Sequence, residues 1–218
     1  MRLAAGLLIG LSLAWGNSAM ATAEPSFTVR FHQQDPDVEL RSYPALVAAD
    51  VTVQADRDQA GNAGFRILAG YIFGGNEGAR SIAMTAPVVT SPAAGVSIAM
   101  TAPVTQTPAG AGAGASAGAW TIRFYMPAGY TLATLPTPKD ARIHLVDVPP
   151  AEVAVIRFSG LSGEADVAER TRQLQGIIAA HHWTAVGAPS LARYNPPWTL
   201  WFLRRNEVWI PVTTAAVE

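Results

Sequence analysis

Few side chains in this sequence are equipped for covalent or metal chemistry. There are four histidines, His32, His144, His181 and His182, and no cysteine. Thiolate nucleophiles, iron–sulfur ligation and thioether-linked cofactors are therefore excluded. The adjacent pair His181-His182 ends a helical stretch, where the helix dipole favours a cation. Gly160-Leu161-Ser162-Gly163 is one residue short of a G-x-S-x-G nucleophile elbow and reads as a turn followed by a helix cap. No HExxH, P-loop or clustered His/Asp/Glu set occurs. The 15 basic and 16 acidic residues nearly cancel, without a Lys/Arg block, which argues against a nucleic-acid partner. No enzyme is expected from this set; recognition by apolar, aromatic and singly placed charged groups is.

The elements that must position such groups follow from the pattern. Arg2, the apolar run Leu3–Trp15 and Ala19-Met20-Ala21 read as a signal peptide over residues 1–23. No Cys follows it to carry a lipid and no second long apolar run exists, so a periplasmic or secreted chain without an integral membrane segment is expected. Residues 24–218 suit one domain. Strands are expected at Thr28–Phe31, Val38–Tyr43, Trp120–Met126, Ile143–Val148, Val153–Phe158, Thr184–Tyr194 and Arg205–Val212. Residues 58–73 follow a helical period with Phe65, Leu68 and Ile72 on one stripe, and Glu164–His181 forms a second helix with Ser162 as cap.

Two stretches stand apart. SIAMTAPV occurs at Ser81–Val88 and again at Ser97–Val104, and reads as a hairpin ribbon. Residues 108–119, PAGAGAGASAGA, have no side chains with which to bury themselves and are expected to be a mobile Gly/Ala loop. The two halves of the chain repeat each other. VELRSYPA (38–45) aligns with IHLVDVPP (143–150) at an offset of 105, and YMP (125–127) with WIP (209–211) at 84. This predicts an α+β fold of two pseudo-symmetric βαββ-type halves, with one antiparallel sheet curled between two helices.

Several blocks in order, YIFGGNEGARSIAMTAPV (71–88), VELRSYPA, IRFYMP (122–127), VAVIRFSG (153–160) and YNPPWTLWFLRRNEVWIPV (194–212), resemble the SOUL haem-binding family over about residues 27–212. The resemblance implies an eight-stranded antiparallel sheet forming a distorted barrel with two flanking helices. It also implies non-covalent binding of haem or another tetrapyrrole on an open apolar surface built from the first helix and the loop before the last strand. On this chain those elements supply Phe65, Leu68, Ala69 and Ile72, with Tyr194, Pro197 and Trp198. Phe65, Leu68 and Ile72 also lie at ordinary core spacing. Arg66 is the positive side chain of the 58–73 stretch and, with Arg204 and Arg205, is placed to meet the propionates. The position where some members have an axial His is Ser42, so the axial ligand is unknown and binding without a strong protein–iron bond is expected.

Glu207 opens a second reading. NEVWIPV is similar to the ending of GyrI-like effector-binding domains, which use a buried Glu to hold cationic ligands. The internal repeat sets Glu207 with Arg123, and a salt bridge between the two is the plainer alternative to a ligand role. The expected protein is thus a carrier, scavenger or sensor of a tetrapyrrole. A module for a small cationic organic ligand is the alternative, and a weak haem-dependent enzyme a remote third.

Overall fold

The computed structural model describes residues 24–77, 98, 101–109, 118–195 and 199–214. The expected signal peptide, nearly all of the SIAMTAPV ribbon and the body of the Gly/Ala loop lie outside the described residues. So do Pro197 and Trp198. No helix among the described residues is long and apolar enough to cross a membrane.

The chain runs β1 (Thr28–Gln33), β2 (Val38–Tyr43), β3 (Leu46–Gln54), α1 (Arg57–Ile72), β4 (Asn76–Glu77), β5 (Val104–Pro108), β6 (Ala119–Tyr125), β7 (Thr137–Pro138) and β8 (Ile143–Val148). It continues through β9 (Ala151–Ser159), α2 (Glu164–Ala180), β10 (Thr184–Ala185), β11 (Ser190–Arg193), a 3-10 turn at Trp201–Leu203, and β12 (Arg205–Thr213). β4 and β7 form a small separate pair, and the other ten strands make one sheet. Its order is β1-β2-β9-β12-β11-β5-β6-β3-β8, with β10 beside β12, and every pairing is antiparallel. The fold is the expected α+β arrangement, an antiparallel sheet curled into a half-barrel with two helices.

The symmetry is visible in that order. Four strands, β2-β9-β12-β11, mirror another four, β8-β3-β6-β5, about the β11–β5 pairing. Each half lends its first strand to the other: β2 pairs with β9, and β8 with β3. The strands of the first part of each half keep the expected offset of 105, Val38–Tyr43 against Ile143–Val148 and Leu46–Gln54 against Ala151–Ser159. The helices slip against that offset by two, their N-caps Asp56 and Gly163 standing 107 residues apart. Asp50 and Arg123 are cross-strand partners on β3 and β6, and Arg157 and Glu207 are cross-strand partners on β9 and β12, an ion pair with the charges exchanged between strands.

Both helices lie on the same face of the sheet. Asp56 caps α1 by accepting a hydrogen bond from the Gln59 amide (2.9 Å). The cap of α2 is Gly163, one residue later than the expected Ser162, with Asp166 reaching back to the Gly163 amide (3.2 Å). From α1, Ala60, Leu68, Tyr71 and Ile72 pack on Ala49, Val51, Ile122 and Phe124. From α2, Leu174 and Ile178 pack on Val38, Leu40, Ala154, Ile156, Val208 and Ile210. The strands alternate with period two, so odd and even residues are sent to opposite faces.

Gly64 sets how closely α1 approaches β6. A Cβ there would stand 2.6 Å from Ile122 Cγ1 and 2.8 Å from Cδ1, on a side chain that is wholly buried. Gly64→Ala therefore costs about 1–3 kcal/mol of overpacking, more than the ~1 kcal/mol gained in helix propensity, and lowers the melting temperature by a few degrees. Gly70→Ala on the same helix meets nothing within 4 Å and should raise it. Thermal denaturation of the two variants checks this, and the opposite order would show that α1 is free to move off the sheet.

Candidate functional site

The face turned away from the helices carries the charged chemistry. Glu39, Arg41 and Tyr43 on β2, Arg157 on β9 and Glu207 and Trp209 on β12 all point there by strand alternation. Glu207 is fully buried, and its carboxylate is surrounded by donors. Arg41, also fully buried, donates to both oxygens in a fork, from Nη1 to Oε2 (2.8 Å) and from Nη2 to Oε1 (3.1 Å). Arg205 donates twice to Oε1, from Nη2 (2.8 Å) and Nε (3.0 Å). Tyr194 OH (2.6 Å) and Trp209 Nε1 (2.7 Å) donate to Oε2, and Arg157 Nε stands 3.4 Å from Oε1.

Burial works against the ionised form of Glu207. The hydrogen bonds and charge of Arg41, then those of Tyr194 and Arg205, outweigh it and hold the carboxyl at about 2. Burial and the Glu207 charge push the Tyr194 phenol far above its ordinary value, so it acts only as a donor. With five side chains on one carboxylate, Glu207 has no lone pair left for a cationic ligand. Its charge offsets that of the buried Arg41.

Arg123 is not its partner. It donates from Nε and Nη2 to the two oxygens of Asp50, both at 2.7 Å, on the β6–β3 pair. The repeat makes Arg123 the counterpart of Glu207, not its neighbour: Arg123 finds its mate on β3 of its own half, and Glu207 chiefly on β2, lent by the other half.

The expected plate of α1 with Tyr194 does not assemble. Leu68 and Ile72 are 0% and 1% exposed and belong to the core under α1. Phe65 is half-buried, with its ring 5.4 Å from that of Phe124, and Ala69 is half-buried. Arg66 is exposed and borders a shallow groove with Lys139 and Arg142. Tyr194 packs on the opposite face of the sheet, among Tyr43, Tyr125 and Trp209, with the Arg205 guanidinium 3.7 Å above its ring. Its neighbour Arg193 points the other way and pairs with Asp58 on α1 (3.2 Å). One step along a strand changes face, and Tyr194 lies on the far side of that step.

What the loop before β12 does present was not singled out in the sequence. Leu200, Trp201, Phe202 and Leu203 are 53–63% exposed, four large apolar side chains in a row. Leu161 is exposed beside them, for the Trp201 indole lies over Gly160. Arginines frame this patch. Arg57, in the first turn of α1, donates to the Ser162 carbonyl (2.9 Å), and Arg204 donates to the Thr199 carbonyl (2.8 Å). Burial lowers the Arg193 pKa, with repulsion from Arg57 and Arg204 adding to it against the pull of Asp58, which pairs with Arg193 (3.2 Å) and stands 3.8 Å from Arg57. The signal was present in TLWFLRR: four consecutive apolar residues outside any helical or strand period have no face on which to hide.

The histidines stay apart from this patch. His32 is paired with Asp37 on the β1–β2 turn (3.3 Å), and His144 lies on edge strand β8. His181 stacks on Trp183 and touches Phe31 at the far end of α2, where it is packing.

A family model described as "SOUL heme-binding protein" matches residues 22–211. No curated protein matches by sequence. Among solved structures, the C-terminal domain of EcmrR is similar with a TM-score of 0.57 at 10% identity, covering 85% of this chain and 99% of that one. A hydrolase from Listeria innocua is similar with a TM-score of 0.50 at 12% identity, covering 81% of this chain and 91% of that one. At these identities the likeness is one of fold.

Proposed function

The chain belongs to the SOUL heme-binding protein family, and from that premise we propose that it binds haem or another tetrapyrrole non-covalently on the open surface formed by Leu200–Leu203 and the adjoining first turn of α1. The observation that carries the proposal is the exposed run Leu200-Trp201-Phe202-Leu203 beside Arg57, Arg193 and Arg204. A tetrapyrrole is an apolar plate with carboxylates on one edge. An apolar aromatic platform with a cationic margin is its complement, because guanidinium groups meet carboxylates in a planar fork. Phe65 and Ala69, half-buried on α1, contribute at most their exposed edges.

No histidine stands on α1 or on the loop before β12, so the platform supplies no strong axial ligand. The iron is held through its macrocycle, which suits carriage, scavenging or sensing more than turnover, and no catalytic activity is proposed. With the sequence features of export, the proposed place of action is the periplasm or the outside of the cell.

Covering one face of a macrocycle removes roughly 300 Å² of apolar area, worth about 7 kcal/mol before the cost of association. With charge-assisted contacts to the arginines this gives a Kd on the order of 1–10 μM. Haemin titrated into the purified protein, followed at the Soret band, should saturate at one equivalent per chain. Binding that continues through several equivalents without a plateau, or no saturation at tens of micromolar, would contradict the proposal.

A further inference from the structure

The helix-free face of the sheet holds a cleft of about 390 Å³ that borders the Glu207 network through Tyr43 and Trp209 and lies apart from the haem platform. The sheet is curled strongly enough for Trp209 of β12 to meet Tyr43 of β2 (5.3 Å between ring centroids) and Tyr125 of β6 (6.2 Å). These three rings and Val153 form a buried floor. Above it the walls stay open and only partly exposed, with Leu46 and Val148 on one side and Ser190 and Thr107 on the other. A one-sided antiparallel sheet ordinarily shows polar residues on its solvent face. This face shows aromatic and aliphatic ones around a space of ligand size.

The charges around the cleft select its occupant. Asp50 is held at both oxygens by Arg123, so neither offers a free charge. Glu207 is saturated beneath the Trp209 indole, and Glu39 on the same face is engaged by Arg41 (2.6 Å). Among the described residues lining the cleft, a cation would find no open carboxylate and an anion no open guanidinium. Among the described residues the polar side-chain groups that remain are hydroxyls, those of Thr105, Thr107, Thr121 and Ser190 with the phenols of Tyr43 and Tyr125. Each can donate or accept.

We propose that this cleft is a second ligand site, separate from the haem platform, for an uncharged aromatic molecule carrying hydroxyl or carbonyl groups. The ring stacks over the Tyr43–Trp209–Tyr125 floor, and the polar groups meet the threonine and serine hydroxyls on the walls.

The test uses the neutral fluorophore N-phenyl-naphthylamine with the full purified protein. It should bind saturably, one per chain, with a rise in fluorescence. Val153→Trp fills the floor, and Thr107→Phe blocks the partly exposed rim without touching the core; each should weaken binding at least tenfold. Trp201→Ala/Phe202→Ala should leave the probe's affinity unchanged, and tetraphenylphosphonium should not displace it. The proposal is overturned if Thr107→Phe binds the probe as wild type does, or if tetraphenylphosphonium competes at equal concentration. It is likewise overturned if the Trp201/Phe202 variant loses the probe, since the platform would then be what it reports. Haemin titration of the same variants separates this result from the proposed function, because the Thr107 variant should retain haemin binding.

Discussion

Glu207→Gln melts on the order of 10 °C below wild type at neutral pH, because removing one member of a buried ion pair strands the other and costs about 3–5 kcal/mol. Arg41 is wholly buried and its fork depends on the carboxylate. The Tyr194 phenol, the Trp209 indole and Arg205 lose the same acceptor charge. The difference has a defined pH dependence. The folded-state value for Glu207 is about 2 against an ordinary 4.5, so its contribution is complete above 4.5 and disappears as pH falls toward 2. The gap in melting temperature between wild type and variant should hold steady above pH 5 and close between pH 4.5 and 2.5. A gap that persists unchanged at the acid end would mean that ionisation is not what the network supplies. Tyr194→Phe should reproduce a smaller part of the loss and leave haemin affinity intact, in keeping with its place on the helix-free face.

Trp201→Ala/Phe202→Ala has the opposite signature: haemin affinity falls thirtyfold or more while the melting temperature barely moves. Both side chains are more than half exposed and meet each other edge to face at 5.6 Å, so truncating them leaves no buried cavity. At a binding surface the same truncation removes aromatic anchors, each commonly worth about 2 kcal/mol or more. Replacing any of the four histidines should change haemin affinity far less, since none lies on α1 or the loop before β12. The measurement is a parallel set of Soret titrations and thermal melts. If a histidine variant outweighs the Trp201/Phe202 pair, iron ligation and not the platform holds the macrocycle.

The elements themselves were legible because their causes are local. Alternation in VELRSY and NEVWIPV sets Arg41 and Tyr43, and Glu207 and Trp209, on one face whatever strands lie alongside. β2 and β8 have the bounds expected from composition alone, and both helices begin and end within a residue of their expected positions. The internal repeat announced two halves, and the half-barrel has them. A chain without cysteine has no thiolate or thioether chemistry, which leaves non-covalent recognition as the reading of its sequence.

Neighbourhood was not legible, because it is a property of strand order. Glu207 meets Arg41 across 166 positions of sequence only because each half lends its first strand to the other, bringing β2 to β9 and β9 to β12. Arg123 on β6 is kept from Glu207 on β12 by β11 and β5, which lie between them. The stripe of α1 was rightly periodic, yet periodicity cannot say whether a stripe meets a sheet or a ligand; contact with Ala49, Ile122 and Phe124 assigned Leu68 and Ile72 to the core. Tyr194 was placed beside α1 by proximity to its loop and lies across the sheet from it, one residue past Arg193. The exposed Leu200–Leu203 run and the aromatic-floored cleft arise from curvature and from where the chain leaves the sheet. Local patterning decides which side of an element a residue takes; packing of the two halves decides what that side faces.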